Sequence, residues 1–189
     1  MASLNNNEVR LCSYNMRGFN SGMSMINELC ESYRIICVQE HWLRTDELAK
    51  FNLLHKDFHF QGVSGMTKST FSGLLQGRPY GGIGYLWHKS LNNCIQFLSC
   101  GCDGRIMSFK LNFNGLVILL FNVYFPCYEN TLVYRNDINL ILGYIENILT
   151  THSCNEILIM GDTNFDVTFT NNGFKMLDSF LKFVNFSMR

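Results

Sequence analysis

Short apolar runs, each the length of one β-strand and each ending in a polar tip, constrain this chain most. "EVRLCSYN", "RIICVQE", "GLVILLFNVY" and "NEILIMGDTN" end at Asn15, at Glu40, at Tyr124, and at Asp162 with Asn164. The first run alternates in part, the others are short and apolar, and all four read as strands. Polar residues at their tips then fall where the sheet stops. One such tip is an ordinary turn, because Gly, Asp and Asn serve turns for backbone reasons. Four of them predict a polar site at a common rim of the sheets. Asn122, in the same run as Tyr124, is read with that rim, and Gly161 is read as giving the backbone room at the turn.

The remaining pattern sets the order of elements. Apolar spacing in "MSMINELCESY" predicts an amphipathic helix started by Ser21 or Ser24. "TDELAKFNLL" predicts a short helix capped by Thr45 or Asp46. Residues 62–82 hold six glycines and predict a long loop of the kind that often carries function. "GIGYLWH", "NCIQFLSC", "RIMSFKLNF" and "GLVILLFNVYFP" predict successive strands, with turns near 90, 103 and 114. "TLVYRNDINLILGYIENILTTH" predicts a helix whose broad apolar face includes Leu132, Ile138, Leu140, Ile141 and Ile145. A strand, "EILIMGD", and a second amphipathic helix, "GFKMLDSFLKFVNF", follow. The order β-α-β, then strands, then α-β-α fits an α/β sandwich of four layers. Two mixed sheets pack face to face with helices outside, in one domain over residues 1–189.

Composition removes several classes. Charged residues are 16% and apolar residues 47%, which excludes a disordered chain. A formal net charge of zero excludes a protein held to nucleic acid by phosphate neutralisation alone, though one local groove stays possible. The eight cysteines lack Cys-x-x-Cys spacing, and most lie in apolar runs. With no apolar leader at the start, they read as reduced thiols of an intracellular protein. The longest apolar run is too short for a bilayer and Asn122 interrupts it, so no membrane is expected.

The rim chemistry can be derived. Two carboxylates with amides supply oxygen ligands and hydrogen bonds, which suit Mg²⁺ or Mn²⁺ rather than zinc. Such a metal offsets the charge that develops when water attacks a phosphodiester. A base must also orient and deprotonate that water. Asp162 fits the base, Asn164 a phosphate contact, and Tyr124 a donor to a phosphate oxygen. Other polar residues divide less cleanly. His41, beside Glu40, reads first as structural. His55 and His59 flank a loop and a strand, so helical metal spacing does not apply. Arg105 reads equally as a sheet-surface charge. "GRPYGG", with Arg78 and Tyr80, reads equally as a DNA-contacting surface and as a tight turn.

"SYNMRG", "VQEHWL", "GGIGYLW", "GRIM", "NVYFP" and "MGDTNFD", in that order, make the whole chain resemble the endonuclease/exonuclease/phosphatase superfamily. "QEHWL" and "GRPYGGIGYLW" look most like the endonuclease domains of non-LTR retrotransposons. The resemblance implies a Mg²⁺- or Mn²⁺-dependent phosphodiesterase that nicks DNA. It places Asn15, Glu40 and Asp162 at the metal and Tyr124 on the phosphate. Asp162 would orient the water, and Asn164 would stabilise the transition state. Arg105 falls where the family often has an Arg, and with Arg78 and Tyr80 of the glycine-rich loop it is a candidate substrate contact. It further implies a reverse transcriptase domain in a parent element and work in the nucleus. Two departures stand out. Thr163 replaces the usual Phe of the "GDFN" motif, which is a packing change. No Asp-His motif follows Asn164, and the last histidine is His152. The expectation is therefore a fold lacking its final strands, truncated at the C-terminus, with weak activity or none. An inactive remnant acting as a binding module, and a phosphoinositide or sphingolipid phosphohydrolase of the same superfamily, are the alternatives.

Overall fold

A computed structural model describes residues 8–66, 79–127, 131–165 and 172–184. In chain order it contains β1 (Leu11–Asn15), α1 (Phe19–Ser32), β2 (Ile35–Gln39), a 3-10 helix (Thr45–Leu53), β3 (Phe58–Val63) and β4 (Ile83–His88). A 3-10 turn (Lys89–Leu91) leads into β5 (Ile95–Gly101), β6 (Ile106–Phe113) and β7 (Leu116–Tyr124). Helix α2 (Leu132–Thr151), β8 (Glu156–Asp162) and α3 (Asn172–Phe183) follow.

The strands form two sheets, ordered β1-β2-β4-β3 and β5-β6-β7-β8. β1 pairs with β2, and β7 with β8, in parallel; the other neighbours are antiparallel. The expected sandwich of two mixed sheets flanked by helices is present.

Period-two alternation divides each strand between two cores. In β2, Ile35 and Cys37 face the second sheet, while Ile36 and Val38 face α1 and the 3-10 helix. In β7, Leu120 enters the layer between the sheets, while Leu119, Phe121 and Val123 lie under α2. β2 and most of β7 are buried on both faces, so their runs carry little polar alternation. The same parity positions the site. Leu11 and Met160 point between the sheets. Asn15 and Asp162 lie at even offsets along the same strands, so they point there too.

Several local expectations need correction. Helix α1 begins at Phe19 behind Gly18, not at Ser21 or Ser24, and no side chain caps it. Ser21 Oγ instead donates to the Arg17 and Gly18 carbonyls. The helix over 45–53 is 3-10 in type, with Arg44 rather than Thr45 or Asp46 at its N-cap. Glu47 accepts from the Arg44 backbone N–H at 3.2 Å, and Asp46 pairs with the Arg44 guanidinium. β3 extends to Val63, so the expected loop begins later than residue 62. Residues 67–78 of that loop, including Arg78, lie outside the described residues. On α2 the N-cap is Thr131, whose hydroxyl accepts from Tyr134 N at 3.1 Å. Leu132 and Leu140 leave the apolar face, being 72% and 63% exposed. The buried stripe is Ile138, Ile141, Leu142, Ile145 and Ile148, at three- and four-residue spacing. Asn122 is also not a rim residue. It is fully buried between the sheets.

All eight cysteines are free. Among the described residues, no helix is long and apolar enough to cross a membrane.

Candidate active site

β1, β2, β7 and β8 end together at one edge of the inter-sheet layer, and there the polar tips meet. Asn15 is the joint. Its Nδ2 donates to Glu40 Oε1 at 2.8 Å and to Asp162 Oδ2 at 2.7 Å. Its Oδ1 accepts from Arg17 N at 3.0 Å, which fixes the orientation of the amide. Two carboxylates from different sheets, 122 positions apart, are thereby held by one side chain. Asp162 Oδ1 accepts a further bond from Asn164 N at 2.9 Å. Each oxygen of Asp162 keeps a second lone pair for water or substrate.

Tyr124 lies opposite Asp162 in the β7–β8 register. Burial, then the neighbouring Glu40 carboxylate, which accepts its hydrogen bond, push the Tyr124 phenol up to about 12. It therefore stays protonated at neutral pH and serves as a donor rather than a base. Arg105 is attached through Tyr124. Its guanidinium lies 5.5 Å from the Tyr124 ring centroid, and Tyr124 N donates to Arg105 O at 2.8 Å. That contact ties Arg105 to Tyr124. Asn164 uses one amide N–H on Phe125 O, at 2.7 Å, to close the turn after β8.

The backbone is strained at this edge. Arg17, Glu40, Trp42 and Asn164 are non-glycine residues with φ between +49° and +57°. Such conformations cost energy and persist where surrounding structure enforces them. Gly161, at φ +134°, lies inside β8 rather than at a turn. A Cβ there would drive into the Val123 carbonyl oxygen of β7. The room it provides is for the neighbouring strand.

Beside Tyr124 opens a groove of about 650 Å³, lined in part by Tyr80, Arg105, Asp103 and Asp137. Tyr80 is 48% exposed on its wall. The structure therefore joins Asn15, Glu40, Tyr124, Asp162 and Asn164 directly, places Arg105 behind Tyr124, and puts Tyr80 on the adjoining groove.

His41 is the structural residue it was read to be. It is fully buried, and burial lowers its pKa to about 4. Leu43 N donates to Nδ1 at 3.0 Å, so Nε2–H donates to Val63 O at 3.0 Å. Its ring fills the space that a Cβ on Gly82 would need.

One network escaped the sequence reading. Gln39 Nε2 donates to Asn122 Oδ1 at 2.7 Å, while Asn122 Nδ2 donates to Val38 O and Gly84 O at 3.1 and 2.8 Å. Ser13 Oγ donates to Gln39 Oε1 at 3.2 Å. The signal was available: a polar residue inside a run buried on both faces must have partners.

Among the described residues, no three His, Cys, Asp or Glu side chains are grouped to hold a metal. The donor set at the rim is two carboxylates, which fits Mg²⁺, an ion commonly held by one or two carboxylates plus substrate phosphate oxygens.

No protein-family model matches the chain, and no curated protein does. Solved structures do. An AP endonuclease from Archaeoglobus fulgidus superposes with TM-score 0.63 at 13% identity, over 93% of this chain and 71% of its own. A 3′ phosphatase from Neisseria, bound to product DNA hairpin, gives TM-score 0.60 at 14% identity, over 84% of this chain and 58% of its own. A mannosyl-6-phosphatase from Bacteroides thetaiotaomicron gives 0.59 at 15% identity, over 91% and 70%. The chain thus spans between about half and three quarters of the length of these structures. What the likenesses share with this chain is the fold, that of the endonuclease/exonuclease/phosphatase proteins.

Proposed function

We propose that this chain is a Mg²⁺- or Mn²⁺-dependent phosphodiester hydrolase domain that nicks DNA, related to the endonuclease domains of non-LTR retrotransposons. The observation that carries the reading is the Asn15 amide donating to both Glu40 and Asp162. It gathers two carboxylates from separate sheets with a phenol that remains a donor. Positive-φ backbone at Glu40 and Asn164 at the same edge supports the reading.

The roles follow from the bonds. Glu40 and Asp162 are the residues that would hold the metal, which supplies charge neutralisation at the phosphoryl oxygens and leaving group. Asn15 sets the carboxylate spacing through its amide N–H groups, and its Oδ1, which accepts from Arg17 N, keeps a second lone pair for the metal. Asp162, fixed at both oxygens, orients the attacking water and accepts its proton. Tyr124 would turn its one O–H from Glu40 to a phosphate oxygen once Glu40 engages the metal, and Arg105 steadies Tyr124 and lines the groove. Asn164 has one remaining N–H for the transition state. Tyr80 contacts the strand at the groove wall. A reverse transcriptase domain in the same element and action in the nucleus belong to this reading.

A supercoiled plasmid tests it. The folded chain is expected to produce nicked circles slowly with Mg²⁺ and none with EDTA. Turnover of a phosphoinositide or sphingolipid without nicking would favour the lipid phosphohydrolase. No turnover of any phosphoester by folded protein would favour the inactive binding module.

A further inference from the structure

We propose that the indole of Trp42 is a stacking platform for a nucleobase next to the phosphate at the Glu40–Asp162 site. The inference rests on the DNA-nicking reading and adds a contact residue to it.

Trp42 follows Glu40 by two residues, a span of about 7 Å at full extension. It is 37% exposed, although Leu43 beside it is buried in the core under α1. A large aromatic has been kept in solvent while its neighbour was packed. Its position is enforced from two sides. Trp42 N donates to Gly81 O at 3.0 Å, holding the backbone at φ +57°. The ring rests on Gly18, where an added Cβ would lie 2.7 Å from Cε3. Gly18 itself belongs to the segment that pairs with the Glu40 loop. Met16 N donates to Gln39 O, Gly18 N to Glu40 O and Phe19 N to His41 O, at 2.9, 2.8 and 2.9 Å. The ring is therefore fixed to the same two chain segments that hold Asn15 and Glu40.

A fixed, half-open aromatic beside a phosphate site suits one ligand feature above others, the π-face of a base. Tyr80, adjacent to Gly81 and 48% exposed, offers a second aromatic on the groove wall. Base–aromatic stacking tolerates any sequence, because every base has a π-face. It adds to phosphate contacts in a chain whose zero formal net charge leaves little for counterion release alone.

The chain has two tryptophans, so Trp87→Phe leaves Trp42 as the sole indole reporter. Its fluorescence is titrated, without Mg²⁺, against a short single-stranded oligonucleotide and against inorganic phosphate. Saturable quenching by the oligonucleotide alone is expected. Separately, Trp42→Leu should raise KM for nicking roughly tenfold with kcat little changed, and Trp42→Phe should recover most of it. No quenching, or quenching by phosphate alone, overturns the proposal. So does an unchanged KM in folded Trp42→Leu, which would leave Trp42 as a cover for Gly18 or a protein-contact residue. If Trp42→Leu does not fold, the titration decides. Nicking with no quenching removes the platform and keeps the nuclease. Quenching with no nicking keeps the platform and removes the nuclease.

Discussion

At the scale of single residues, the site depends on groups whose alternatives are sterically or electrostatically closed. Gly161 is the sharpest case, since any side chain would meet the Val123 backbone. Gly161→Ala is expected to destabilise the fold by at least ~1–3 kcal/mol through overpacking and lost β7–β8 pairing, read as a lower urea midpoint. His41 gives a pH prediction. Its folded pKa, about 4, lies below the ordinary value of 6.5, so the unfolded chain binds more protons between those values. Stability therefore falls as pH drops from 6.5 towards 4 and stops falling on this account below 4. The total is about 3 kcal/mol. His41→Gln should flatten that slope in urea melts; an unchanged slope would contradict the buried neutral imidazole. The strand tips Asn15, Glu40, Tyr124, Asp162 and Asn164 were legible in the sequence because each breaks an apolar run abruptly. Trp42 was not, because "QEHWL" carries no sign of which ring faces solvent.

At the scale of elements, alternation decides which polar residues serve the site and which serve the core. Asn122 and Tyr124 share one face of β7, yet only Tyr124 reaches the rim. Asn122 ties β7 to β2 and β4 by bonding Gln39, Val38 O and Gly84 O. Asn122→Ala leaves those groups buried without partners and opens a void. A loss of about 2–4 kcal/mol is expected. It should lower the melting temperature without moving the KM for nicking, since the side chain does not reach the groove. The strands and the long helix could be read from periodicity, but their starts could not. Helix α1 begins behind a glycine, because at Gly18 the chain turns at φ +101° against Trp42, a tertiary demand that no capping rule encodes. In the 3-10 segment over residues 45–53, Phe51 packs on Phe19 and Phe60, contacts that the local sequence does not state.

At the scale of the whole molecule, the layer between the sheets is both core and scaffold. Ile35, Cys37, Ile83 and Tyr85 of the first sheet pack on Met107, Phe109, Leu111 and Leu120 of the second. That shared layer predicts one cooperative transition, with tryptophan fluorescence and far-UV circular dichroism coincident in urea. Two separated transitions would mean that the sheets fold independently. Sheet pairing was beyond the sequence, because apolar runs buried on both faces state their burial and not their neighbours. The convergence of β1 and β8 across the sheets, which brings Glu40 and Asp162 to one Asn15 side chain, is the part only the fold supplies.

The central claim is that this pair of carboxylates performs phosphodiester cleavage. The direct measurement is the rate of Mg²⁺-dependent plasmid nicking by Glu40→Gln and Asp162→Asn, which keep shape and remove charge. Both are predicted to fall by roughly 10²-fold or more while melting as folded proteins. Folded variants that nick at the wild-type rate would contradict it.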